Sequence, residues 1–235
     1  MQQPAPTLVL PRGLILLASV WLVASWVLAI GLRTPIHATS AAYTPGVRLM
    51  LICLVTGLMV GWPLLRLSQP PMPFPVRQVL LDLIVLLALV QVVLWPLRLV
   101  TTWSVSRTAS IDATLTAWAM LAGACVASAA GSPRSGPRNL AMLSCVGMCV
   151  IGPVLALLVV GAPNLEPLGR KLAGIGPPLE VHALSLGGKA PITAGQWSWI
   201  GLVGFTAACC WVMLGLLAAV RRGNRATGAC GDSPR

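Results

Sequence analysis

Acidic side chains are scarce in this chain. Its 235 residues include five Asp and Glu, two Lys, two His, two Phe and one Tyr. Charged residues make up 9% of the total, whereas a soluble domain carries about 25%, so a water-soluble globular fold is excluded. Disorder is excluded as well. With 57% hydrophobic residues and a mean hydropathy of +0.86, too much apolar surface would have to stay solvated. The chain has no G-x-S-G, no H-E-x-x-H and no carboxylate in the middle of an apolar run. Catalysis inside a membrane needs a nucleophile with its base, paired acids or a metal cluster, so the chain reads as a non-enzyme without cofactor or metal.

What is present is apolar length. Six runs, 13–32, 49–65, 78–97, 111–131, 140–162 and 197–220, take up about half of the chain. About 20 helical residues cross roughly 30 Å of hydrocarbon, and only the second run, at 17 residues, falls short. The sequence therefore predicts an all-α polytopic membrane protein with six transmembrane helices in a single domain, 1–235. The first run exceeds the apolar core of a signal peptide, so Ser40-Ala41-Ala42 is read as part of an uncleaved protein.

Arginines punctuate the runs: Arg12 and Arg33, Arg48 and Arg66, Arg77 and Arg98, Arg107 and Arg134, Arg138, and Arg221 with Arg222. Cations at helix ends reaching for headgroups account for the net charge of +11. No basic face with interleaved aromatics is present to bind nucleic acid. With the N-terminus inside, nine Lys and Arg fall on the inner side and seven on the outer, so both termini are expected in the cytoplasm. Fourteen Arg against two Lys, with abundant Ala, Gly and Pro, suggest a GC-rich prokaryotic source and hence the inner (plasma) membrane.

Six of the seven cysteines lie within the runs and have no His or carboxylate nearby, so they read as small packing residues. Ala119, Gly123, Ala127 and Gly131 form a small-residue ridge, as do Cys53, Gly57 and Gly61. Such ridges let helix backbones approach, within one chain or against a second subunit. Asp82 and Asp112 stand near the starts of the third and fourth spans, each five residues after an arginine, Arg77 and Arg107. That position favours a helix-capping role. Gln91, Trp95 and Arg98 share one face of the third span and should point towards protein.

Outside the spans, four prolines make 66–77 a stiff inner connector, and 132–139 is a tight turn. The outer loop is 163–196. Leu165, Leu168, Leu172 and Ile175 predict a short interfacial helix, ended by Gly176-Pro177-Pro178. The alternation over Leu179–Ala183 predicts a brief extended stretch. His37 and His182 fall in the first and third outer loops, and are weak candidates for a haem or metal ligand pair.

Gly176-Pro177-Pro178, the stretch Leu184 to Gly188, Trp197 entering the last span and Arg221-Arg222 leaving it resemble the C-terminal third of the six-helix membrane subunit of ABC-type exporters. That resemblance implies a permease-like role in transport or export, partner subunits in the bilayer and a companion cytoplasmic ATPase. The chain carries no G-x-x-x-x-G-K-[ST] of its own. Where many members have an acidic turn after the second span, this chain has the proline-rich connector. The placing of His37 and His182 is also similar to the six-helix haem-handling protein of cytochrome c assembly, which would imply cofactor handling. The small-residue ridges fit a third reading, a packing subunit of a larger membrane complex.

Overall fold

The computed structural model describes residues 12–33, 39–159 and 176–229, and all regular structure among them is helical. Helix α1 (Arg12–Ala29) is followed by a 3-10 turn, Gly31–Arg33. Helix α2 starts as Ser40–Thr56, passes through a π-helical turn at Gly57–Gly61 and continues as Trp62–Ser68. Then come α3 (Pro75–Val100), α4 (Val105–Ala130), α5 (Ser135–Val159), the short α6 (Pro177–Leu186) and α7 (Ala194–Ala229). Six of them are long and apolar enough to cross a membrane, and they coincide with the six runs.

The helices reach further than the apolar runs do. The second span covers Ala42–Ser68, 27 residues, and is not marginal. Arg48 and Arg66 lie within it, because a helix can hold an arginine whose charge is met inside the protein, as Asp82 and Gln69 meet that of Arg66. Likewise α3 runs from Pro75 to Val100, and α4 starts at Val105, ahead of Arg107. The connector between α2 and α3 thereby shrinks to 69–74. Helix α3 also continues past Pro96 to Val100.

Helix α4 is the hub. Two-thirds of its spanning window is buried, against 11% for α1 at the periphery. It packs against α3, α5, α6 and α7. Ala119, Gly123 and Ala127 are buried in these contacts, and a Cβ on Gly123 would overlap Leu83 of α3 and press on Trp211 of α7. Trp211 donates its indole N–H to the Met120 carbonyl at 2.9 Å. This ridge therefore joins helices of one chain. On α2, Gly57 leaves room for the Trp21 ring, whose N–H bonds the Cys53 carbonyl at 3.1 Å, while Gly61 faces open space.

The π-helical turn sits just before Pro63, which has no N–H to continue the ordinary ladder. Together with α1 and α3 it borders an apolar cleft of about 310 Å³, lined by Trp21, Leu54, Gly61, Leu86 and Val90 among others.

Candidate functional site

Helix α6 lies between the fifth and sixth spanning helices in sequence, and it is inserted among α2, α4 and α5. Its first residues reach the middle of the bundle. Gly176, at φ 157°, sits so close to α5 that a Cβ there would be 3.3 Å from the Met148 carbonyl oxygen. Glu180 accepts a hydrogen bond from Trp118 at 2.7 Å. Met148 and Trp118 are both midway along their helices, Trp118 roughly 20 Å from the start of α4 at 1.5 Å per residue. The far end of α6 meets the opening turns of α4. It is thus a re-entrant helix that descends half-way into the bundle.

Three side chains of α4 and its approach hold it there. Arg107 is buried, and its guanidinium donates to the carbonyls of Leu184 at 2.7 Å and Ala190 at 2.6 Å. The Leu184 carbonyl also accepts the Gly187 N–H at 3.3 Å, and it lies at the C-terminal end of α6, where the helix dipole favours a cation. A Cβ on Gly187 would collide with that guanidinium, so glycine is required for the close approach. Trp103 donates its indole N–H to the Ser185 carbonyl at 3.2 Å. Trp118 provides the third grip, on Glu180, which is only 8% exposed. Burial raises the Glu180 carboxyl above the ordinary range, opposed by the Trp118 N–H, which favours the charged form.

The opposite end of the bundle is held differently. Arg66 at the end of α2 pairs with Asp82 of α3, Nε to Oδ2 at 2.9 Å, and Asp82 is completely buried. Gln78 donates to the other Asp82 oxygen at 3.3 Å, and Arg66 also donates to the Gln69 side chain at 2.6 Å. Arg138 of α5 bonds the Gln69 carbonyl, and the Met72 N–H bonds the Ala130 carbonyl at 3.2 Å. The proline connector is therefore tied at Gln69 and Met72, while its last residue, Phe74, and Arg77 just after it are exposed.

Several sequence expectations change at this level. Residues Leu179–Ala183 are helical, not extended, and Gly176-Pro177-Pro178 opens a helix where it was expected to end one. Pro177 and Pro178 preset φ for a first turn, and Glu180 suits its positive end. The buried positions Glu180, Val181, Leu184 and Ser185 follow the helical period; five alternating residues were too few to choose between periods. Neither aspartate caps a helix, because α3 and α4 begin about two turns before them. Ser104 caps α4 instead, accepting the Arg107 backbone N–H at 3.3 Å. Arg77 and Arg107 are not the aspartates' partners. Asp82 takes Arg66, and Asp112 accepts from Gln91 Nε2 at 2.8 and 2.9 Å. On the polar face of α3, Gln91 does turn inwards, and Trp95 donates to Gln91 Oε1 at 2.8 Å. Arg98 is exposed.

His37 and the expected interfacial helix at 165–175 lie outside the described residues. His182 is in α6, partly buried, and its Nδ1 is enclosed without a hydrogen-bond partner among the described residues. No cluster of three His, Cys, Asp or Glu that could hold a metal occurs among the described residues.

No protein-family model, curated protein or solved structure matches the chain.

Proposed function

We propose that the chain is the non-enzymatic spanning subunit of a transport or export complex in the inner (plasma) membrane. It is permease-like and works with a separate cytoplasmic ATPase. The observation that carries this reading is the pairing of a rigid, tied connector at one end of the bundle with a re-entrant helix at the other. A tied connector with exposed Phe74 and Arg77 can pass a push from a docked partner into α2, α3 and α5. An inserted helix held by a few side chains can open a path between α2, α4 and α5. With both termini in the cytoplasm, the connector faces the ATPase and α6 faces outwards.

The test is purification of the full chain in mild detergent, with mass spectrometry of what accompanies it and a visible spectrum of the same sample. A stoichiometric nucleotide-binding protein is expected, lost when 69–74 is replaced by Gly and Ser while membrane insertion persists. A haem band without such a partner would overturn the reading. It would favour cofactor handling instead, for which the supporting observation is that His182 Nδ1 has no hydrogen-bond partner among the described residues.

A further inference from the structure

A cleft of about 470 Å³ opens between α4 and α7, away from α6 and from the connector. Its walls are small and apolar, Ala113 and Ala117 from α4 and Gly204 and Ala207 from α7, but Asp112 and Thr116 also line it. The volume is in the usual range for small-molecule sites, about 300–1,000 Å³. Both Asp112 oxygens accept from the Gln91 side-chain amide, whose own oxygen is occupied by Trp95. These bonds aim the carboxylate without neutralising it. Among the described residues no cation lies within ion-pair distance of Asp112, and Arg107, five residues earlier, is committed to the carbonyls of Leu184 and Ala190. The Thr116 hydroxyl, one turn along the same face, makes no hydrogen bond among the described residues. The neighbouring Thr108, Ser110 and Thr114 hydroxyls all bond back to their own helix.

A carboxylate within a spanning helix is costly unless something pairs with it. We infer that this cleft binds a primary ammonium group carried on an aliphatic body. Such a group has three N–H donors. Two acceptors come from Asp112 and one from Thr116, which sit about 5–6 Å apart at i, i+4 spacing. The Ala and Gly walls then receive the aliphatic part. Asp112 is about 10 Å from the start of α4 at 1.5 Å per residue, a depth where an amphiphile places its charge near the edge of the hydrocarbon. A quaternary ammonium has no N–H to donate and does not fit this acceptor set. The inference stands apart from the transport reading.

The probe is dodecylammonium, titrated calorimetrically into the delipidated full-length protein, with dodecyltrimethylammonium as control. Saturable one-to-one binding of the primary amine is expected, weakened at least tenfold in Asp112→Asn and several-fold in Thr116→Val. Gly204→Val keeps the charge but fills the cleft, since a Cβ there meets only Ala117, at 3.9 Å, and it should abolish binding while the protein stays folded. Equal binding by wild type and both Asp112→Asn and Gly204→Val, equal binding of the two amphiphiles, or no saturable binding would overturn the inference. Repeating the titration in nanodiscs separates two sources of the same chemistry. Competition by phosphatidylethanolamine but not phosphatidylcholine identifies a lipid headgroup as the occupant, and equal affinity in both identifies a free amphipathic amine.

Discussion

The two ends of this bundle both depend on an arginine removed from solvent, yet they are built to different ends. At the connector end, Arg66 meets a carboxylate, and its partners Asp82 and Gln69 belong to the same α2–α3 hairpin. At the other end, among the described residues, Arg107 meets neutral carbonyls, those of Leu184 and Ala190, 77 and 83 residues away in sequence. The first arrangement closes a local unit with a charge pair whose loss leaves a buried ion stranded. The second fastens a distant element that can leave without stranding a counter-ion. On that contrast the connector end is expected to stay fixed and the α6 end to detach.

The largest effect should come from breaking the fixed end. Asp82→Ala leaves Arg66 without its counter-charge, and removing one member of a buried pair costs about 3–5 kcal/mol. Unfolding of the purified protein in detergent should show a loss of that order. An Arg66→Met, Asp82→Leu double variant should recover most of it, because the packed apolar pair removes the stranded ion. A double variant as unstable as the single one would show that the pair has a role other than mutual neutralisation.

At the detachable end the loss should be local. Hydrogen bonds from a charged donor contribute about 1.5–3 kcal/mol each, and Arg107→Met removes those to Leu184 and Ala190. Two such bonds together amount to about 3 kcal/mol or more, so hydrogen exchange over 177–190 should accelerate at least roughly 100-fold at about 1.4 kcal/mol per tenfold. Exchange in α2 and α3 should be unchanged. If protection falls equally at both ends, the bundle is a single cooperative unit and the contrast drawn here fails.

Trp118→Phe is a milder cut at the same end, worth about 1 kcal/mol for one hydrogen bond. It also has a pH signature. Glu180 has a carboxyl raised by burial, so the docked form retains its proton at pH values where the undocked form has released it. Docking is therefore most favourable below the ordinary carboxyl pKa and weakens as pH rises through the raised one. Without the Trp118 N–H the raised value should climb further, and the pH dependence of exchange in α6 should move upwards with it.

These predictions involve features of unequal legibility in the sequence. The six spans were readable because a long apolar run has few alternatives to a membrane helix. Their ends were not, because arginine can sit inside a helix and still reach polar partners, as Arg66 and Arg107 do. Ser104, three residues ahead of Arg107, carried a helix-start signal that the apolar run starting at 111 obscured. The pairing of Asp82 with Arg66 could have been suspected from the hairpin that joins them, since helices linked by a short connector face each other. Glu180 with Trp118, and Arg107 with the carbonyls of Leu184 and Ala190, could not. Those contacts depend on α6 turning back into the bundle, and no local pattern specifies that descent. Asp112 showed itself as a polar residue in a span, but that it has no cation beside it among the described residues appears only when the neighbours are in place.

The smallest effect should be at the periphery, where α1 is only 11% buried over its span. A Cβ on Gly57 would overlap the Trp21 indole, whose N–H holds the Cys53 carbonyl. Overpacking costs about 1–3 kcal/mol in a closed core, but Trp21 is 46% exposed and can swing aside. Gly57→Ala should therefore fall at the low end, about 1 kcal/mol, and Trp21 fluorescence should shift as the ring leaves its seat. Gly123→Ala makes the corresponding change at the hub, against Leu83 and Trp211. There neither neighbour can withdraw without disturbing α4, so its cost should clearly exceed that of Gly57→Ala. Equal costs at the two positions would mean that α1 is fastened as firmly as the helices around α4, and that its exposed face is covered by something other than lipid.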